Sequence, residues 1–312
     1  MEETAMGNTT TESANAQSAG LDLLKPDAAL AALFRGQADA VAAVRPALPD
    51  IARAASVAAD TLRIGGRLVY AAAGSSGLMA FADALELPGT FGIARDRIKV
   101  LFAGGAPSLE TFVGGPEDDA ALGVRDVEKA DIAAEDCVIA VSASGSTPYT
   151  VGALGHGAKR GARTVAMANN AGSPLLALAE TAILLPTPPE LVAGSTRMGA
   201  GTAQKVALNM LSTLMAIALG HVVDGHMVNL VADNTKLEER AARMVATLAH
   251  CDRQTALDCL ARANGSAKVA ILLAAGVPDK DSAAQLLEDQ SRNLRSALTA
   301  IDQGTDPEKQ RA

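Results

Sequence analysis

Apolar residues recur along this chain with two different periods. Val41, Val44, Leu48, Ile51 and Val57 fall at helical spacing, and Gly65-Gly66 closes the segment they define. Five short, almost uninterrupted apolar runs then predict strands: Leu68–Ala72, Ile98–Phe102, Cys137–Val141, Thr164–Met167 and Ala182–Leu185. Between them lie helix-compatible stretches, among them Leu78–Leu85, Tyr149–Arg160 and Pro174–Ala179. Strands buried on both faces have no polar side to alternate, so this pattern predicts a parallel sheet covered by helices on both faces. Residues 60–225 are therefore expected to form a doubly wound α/β domain, with any ligand beyond the carboxyl ends of the strands. After Asn234 only the helical period remains, in Leu237–Leu248, Asp252–Arg262, Ser266–Leu273 and Asp281–Leu298. Asn264-Gly265 and Gly276-Val277-Pro278 supply breaks between these segments. The expected organisation is a flexible, Ser/Thr-rich arm over 1–19, an α/β domain with a flanking N-terminal helix over 20–235, and a small helical subdomain over 236–312.

Composition narrows the picture. The chain of 312 residues is 49% hydrophobic but only 2% aromatic, without Trp, so its core must be built from Ala, Val, Leu, Ile and Met. Such small side chains favour close helix-on-sheet layers. Acidic residues outnumber basic ones by 35 to 27, and no Lys/Arg-rich run breaks the net charge of -8, which argues against a nucleic-acid partner. An anionic ligand would need a local, preorganised site. The most apolar helix candidate, Val206–Leu219, carries Asn209, Ser212 and Thr213 and falls short of the ~20 apolar residues of a membrane span. It is expected to be a core helix. Cys137, Cys251 and Cys259 are an odd number without metal-ligand spacing, and Cys137 sits in an apolar run as a small hydrophobe. Reduced thiols and the lack of an export signal lead to the expectation of a cytoplasmic protein. His156, His221, His226 and His250 form no metal spacing, and His221 and His226, in the turn after the long helix, are expected at the surface or an interface.

Chemistry concentrates at two strand-to-helix junctions. Ala73-Gly74-Ser75-Ser76-Gly77 follows the first predicted strand, and Ser142-Ala143-Ser144-Gly145-Ser146-Thr147 follows the third. Glycine lets backbone approach a ligand, the hydroxyls donate hydrogen bonds, and the next helix offers unpaired N–H groups at its positive end. One such loop is as readily a plain N-cap; two, after neighbouring strands, point to phosphate. Neither loop is a Walker A sequence or a dinucleotide fingerprint. Ser75, Ser76, Ser142, Ser144, Ser146 and Thr147 are the candidate phosphate ligands.

The Ser-x-Ser-Gly-x-Thr spelling at 142–147 resembles the phosphosugar loop of the sugar isomerase (SIS) superfamily. Asp83-Ala84-Leu85-Glu86-Leu87-Pro88-Gly89-Thr90-Phe91-Gly92 resembles the Asp-Ala-Ser-Glu-Cys-Pro-Pro-Thr-Phe/Tyr-Gly signature of N-acetylmuramic acid 6-phosphate etherases. Ala103-Gly104-Gly105 and Pro116-Glu117-Asp118 are similar to further segments of that family. The longest match is Gly194-Ser195-Thr196-Arg197-Met198-Gly199-Ala200-Gly201-Thr202-Ala203-Gln204-Lys205, and the likeness extends over residues 40–300, including Asn234 and Lys236. It implies a SIS fold, a homodimer, and cleavage of a lactyl ether on a phosphorylated amino sugar in cell-wall recycling, with no cofactor or metal. The products would be D-lactate and N-acetylglucosamine 6-phosphate. By motif position Glu117 is the implied base for the C2 proton, Glu86 the implied acid for the leaving lactate oxygen, and Arg197 an anion partner. Two carboxyl groups of different proton affinity suit those roles.

Taken alone, the two glutamates differ. Glu86 ends an apolar helix, where a carboxylate opposes the helix dipole, so a functional reason is favoured. Glu117, in an acidic run at a helix start, reads as an ordinary cap without the resemblance. Three positions depart from the family spelling: Leu78 and Ser146 stand where the etherases have Arg, and Gly199 where they have Lys. Those lost cations keep two other readings in view, an isomerase of a related phosphosugar and a sugar-phosphate-sensing regulatory protein.

Overall fold

A computed structural model describes residues 10–111, 114–230 and 235–304. Asn234 and the first nine residues of the expected arm lie outside the described residues, as does the side chain of Lys236. The chain divides into two compact units: residues up to Leu85 with Arg95–Leu214, and Glu86–Ala94 with the residues from Met215 on.

The first unit is built on five strands: β1 (Leu68–Ala72), β2 (Ile98–Phe102), β3 (Cys137–Ser142), β4 (Arg163–Ala168) and β5 (Thr181–Leu184). All pair in parallel in the order β2-β1-β3-β4-β5. The apolar runs thus mark every strand to within a residue or two. Every residue of β1 and β3 is buried, which is why neither alternates polar and apolar positions. Cys137, fully buried in β3, has its thiol pushed up to about 12 by burial. The helices pack closely because their contact positions are small: a Cβ on Gly123 would stand 2.2 Å from the Tyr149 carbonyl oxygen on the adjacent helix Pro148–Lys159.

Two expectations shift at the amino end. The helical run across residues 41–57 is two helices, Pro26–Ala42 and Leu48–Arg63, separated by a 3-10 turn at Arg45–Ala47. Pro46 and Pro49 cannot donate to a preceding turn, so each suits a first turn instead. Residues 10–19, within the segment expected as a flexible arm, form two short 3-10 turns, Thr10–Glu12 and Ala16–Ser18.

The second unit is helical: Thr235–Leu248, Arg253–Arg262, Ala267–Ala274, Lys280–Asp289 and Leu294–Gly304 pack around Val245, Leu260, Ile271, Leu287 and Leu294. The run expected as one helix over 281–298 is broken at Ser291 and Arg292, whose φ values of 52° and 60° are left-handed. Asp252 and Asp279 cap their helices, accepting from the Thr255 and Ser282 amides at 2.9 and 2.8 Å. His221 and Lys268 are mostly buried here, so the surface placement expected for His221 is corrected: burial, and then the nearby Lys268 charge, hold its imidazole down to about 4.

Candidate active site

The strand order decides where the site falls. From β1 the chain goes outward to β2, then returns to place β3 on the other side of β1, so the carboxyl ends of β1 and β3 border a topological switch point. Ala72 pairs with Val141 in register, which sets the two Ser/Thr junctions side by side.

The β1 junction is tight. Only Ala73 separates the strand from helix Gly74–Phe91, whose first turn carries Ser75 and Ser76. The β3 junction is braced from within. Ser142 Oγ accepts the Gly145 amide at 3.0 Å and lies 2.8 Å from Thr147 Oγ1, while Ser144 Oγ accepts the Ser146 amide at 3.2 Å. Gly145 takes φ 68°, and a Cβ there would fall 2.2 Å from Ser173 Oγ, so the turn admits only glycine.

Two cavities meet above these junctions. The smaller, about 330 Å³, has Ser75, Ser76, Ser144, Ser146 and Thr147 in its lining. The larger, about 520 Å³, includes Leu78, Phe102, Ser108 and Arg197. Gly74, Ser75, Glu117 and Thr196 line both. Glu117 sits on the 3-10 turn Gly115–Asp118, and its Oε2 lies 3.4 Å from where a Cβ on Gly74 would be. Burial, reinforced by the like charge of Asp118, raises its carboxyl above the ordinary range. Arg197 presents an exposed guanidinium to the larger cavity.

Most of the predicted residues therefore converge. Ser142 does not line either cavity; it is 2% exposed and acts as the hub of the loop's internal hydrogen bonds. Glu86 is absent from both linings and is exposed, with Thr90 Oγ1 donating to its carboxylate at 3.4 Å.

Three acidic residues carry parts of the frame that sequence reasoning missed. Asp83, buried within the Asp-Ala-Leu-Glu segment, accepts from Tyr70 Oη at 3.0 Å, Asn209 Nδ2 at 3.0 Å and Ser212 Oγ at 2.9 Å. Burial raises its carboxyl, and those bonds and the Lys205 charge partly offset the rise. Its signal was an acid at an otherwise apolar helical position. Glu190, 6% exposed, caps helix Gly199–Ala218 by accepting the Gly199 and Ala200 amides at 2.9 Å each. Glu12 lines the smaller cavity from the amino-terminal segment, which no motif marked.

A parallel α/β sheet with adjoining hydroxyl loops at its switch point defines a fold of the SIS class. The chain matches the SIS domain model over residues 119–219 and the glucokinase regulatory protein N-terminal SIS domain model over residues 50–157. A solved structure of a Bacteroides fragilis protein, described as a phosphosugar isomerase involved in capsule formation, shares the fold. It has a TM-score of 0.50 at 18% identity, covering 64% of this chain and 95% of that one. The chain is 44% identical to the N-acetylmuramic acid 6-phosphate etherase of Deinococcus radiodurans, over 92% of its own length and 94% of the relative's. It is 42% identical to that of Streptomyces avermitilis, over 93% and 94% of the two lengths. The chain belongs to the N-acetylmuramic acid 6-phosphate etherase family.

Proposed function

We propose that this protein is a carbon–oxygen lyase that cleaves the D-lactyl ether of N-acetylmuramic acid 6-phosphate, giving N-acetylglucosamine 6-phosphate and D-lactate. The observation that carries the reading is the placement of Glu117, a carboxylate of raised proton affinity shared by two cavities that favour anions differently. The smaller sets the neutral hydroxyl donors of the two loops, suited to phosphate, beside the carboxylates of Glu12, Glu117 and Asp118; the larger offers Arg197, suited to a carboxylate. A substrate with a phosphate at one end and a lactyl carboxylate at the other would hold its C2–H between them.

In the ring-opened aldehyde, Glu117 removes the C2 proton, the electron pair forms a C2–C3 double bond, and the bond from C3 to the lactyl oxygen breaks. Glu86 is the proposed acid that protonates that oxygen, supported by its motif position. Water then adds its hydroxyl at C3 and its proton at C2. Ser142 supports the phosphate through the loop it braces, while Ser75, Ser76, Ser144, Ser146 and Thr147 contact it. A homodimer belongs to the same proposal. Met210, Leu214 and Ile217 are exposed at helical spacing on Gly199–Ala218, and Leu85, next to Glu86, is exposed as well. A cytoplasmic location is proposed on the three unpaired thiols.

Incubation with N-acetylmuramic acid 6-phosphate should release D-lactate and exchange the C2 hydrogen with deuterated water. Glu117→Gln should lose both, and Glu86→Gln should keep C2 exchange while ether cleavage falls by ~10²–10⁴-fold. No lactate from the wild type, or equal loss of exchange in the two variants, would contradict the assignment.

A further inference from the structure

The amino-terminal segment is fastened to the same end of the sheet. Thr11 is buried, at 3% exposure, and exchanges two hydrogen bonds with Asn170, just past β4. Its amide donates to Asn170 Oδ1 at 3.3 Å, and its Oγ1 accepts from Asn170 Nδ2 at 2.9 Å. Asn170 Nδ2 also donates to the Ser144 carbonyl at 3.2 Å, which ties the segment to the phosphate loop itself. Asn15 Nδ2 and Ser18 Oγ donate to the Pro189 and Leu191 carbonyls, each at 2.7 Å. Amides and hydroxyls buried in this way are costly to leave unpaired, so the latch is specific to this path of the chain.

The latch delivers one chemical group, the Glu12 carboxylate. It stands in the lining of the smaller cavity together with Ser144, Ser146 and Thr147, with Oε2 3.3 Å from where a Cβ on Gly194 would be. A carboxylate can only accept hydrogen bonds and repels phosphate. It therefore suits a different part of the ligand from the hydroxyl loops: a sugar hydroxyl or an acetamido N–H. Resting on the function proposed above, we infer that Glu12 is a specificity residue, accepting a hydrogen bond from an uncharged O–H or N–H of the sugar while the loops hold its phosphate. It would also disfavour ligands that place a second anion at that point.

Calorimetric titration of the full chain with N-acetylglucosamine 6-phosphate and, separately, inorganic phosphate tests this. Glu12→Ala should weaken the sugar phosphate about tenfold or more, the usual cost of losing one charge-assisted hydrogen bond, and leave inorganic phosphate unchanged or tighter. Glu12→Gln, whose amide oxygen still accepts, should recover part of the loss. Unchanged sugar-phosphate affinity in Glu12→Ala overturns the inference. So does an equal loss for both ligands, which would make Glu12 a support of the loop, and thermal melts of both variants should match the wild type. Sugar-phosphate binding that depends on Glu12 without lactate release would refute the etherase reading alone. Lactate release with affinity and KM indifferent to Glu12 would refute this inference alone, and no sugar-phosphate binding by the wild type would refute both.

Discussion

Gly145 joins the fold to the proposed phosphate loop, and Gly145→Ala should damage both. An alanine at φ 68° costs roughly 1–2 kcal/mol in backbone strain. Its Cβ would stand 2.2 Å from Ser173 Oγ, 2.5 Å from Ser173 Cβ and 3.0 Å from Ala168 Cβ, where ordinary contact is about 3.5–4.0 Å. Overpacking of that kind costs about 1–3 kcal/mol, for a total of about 2–5 kcal/mol. In a chain of this size about 1 kcal/mol moves Tm by roughly 2–4 °C, so the expected loss is about 4–20 °C. The strain enters the site directly, because the Gly145 amide donates to Ser142 Oγ at 3.0 Å and its carbonyl accepts from the Leu175 amide at 3.0 Å. Sugar-phosphate affinity should fall with stability. Ser173→Gly removes the two nearest of the three clashing atoms, and its Oγ is buried without a hydrogen-bond partner among the described residues, so in that background the alanine should recover at least half of its cost. Scanning calorimetry of the wild type, the two single variants and the double variant measures the coupling. A Gly145→Ala protein as stable as wild type, or a double variant no better than Gly145→Ala, would refute the steric argument.

Two further expectations concern protons. Because Glu117, as the proposed base, must be deprotonated to act and its carboxyl is raised by burial and by Asp118, lactate release should rise with pH through a midpoint above that of an unperturbed glutamate. Asp118→Asn should move that limb to lower pH, and an unmoved limb would remove Asp118 from the electrostatics of the site. In the helical unit, burial lowers Lys268 to about 8 and His221 to about 4. Stability should therefore rise from pH 8 toward 10.5, as the unfolded lysine keeps a proton the folded one has lost, and should fall from pH 6.5 toward 4, as the unfolded histidine gains one first. Lys268→Met should flatten the alkaline rise in urea-melt midpoints; an unchanged slope would show that the amine does not sense its burial.

The sheet was legible because its strands are buried on both faces. Leu68–Ala72 and Cys137–Ser142 have no exposed position, so each left a continuous apolar run that could be read without knowing its neighbours. The hydroxyl loops were legible for a related reason: they begin where those runs stop. Their adjacency, on which the phosphate reading leaned, rests on β3 returning past β1, a property of strand order that local spacing does not itself encode. The helix break at Arg45–Ala47 was missed despite its prolines because the apolar period runs on through it, and the break at Ser291-Arg292 because left-handed Ser or Arg leaves no mark in composition. Glu12 was illegible for the opposite reason. Its segment is polar, which predicts mobility, and it is instead fixed by hydrogen bonds to Asn170, Pro189 and Leu191, far along the chain.

The three departures from the family spelling separate once their surroundings are known. A Cβ on Gly199 would meet Glu190 Oε2 at 3.1 Å and Ala40 Cβ at 3.3 Å, so a side chain there faces the buried cap of helix Gly199–Ala218 and lines neither cavity. A lysine at that place would answer the charge of Glu190, and its loss leaves that carboxylate to the Gly199 and Ala200 amides. Leu78 and Ser146 do line the cavities, one each. At 146 the hydroxyl that replaces a guanidinium still donates, so the smaller cavity keeps a neutral means of holding phosphate. At 78 nothing polar remains, and the burden of an anion in the larger cavity passes to Arg197, which faces the same space as Glu117. Of the three cations lost from the sequence, one is thus lost at each cavity and the third outside both, and Arg197 is the residue whose removal the larger cavity can least absorb.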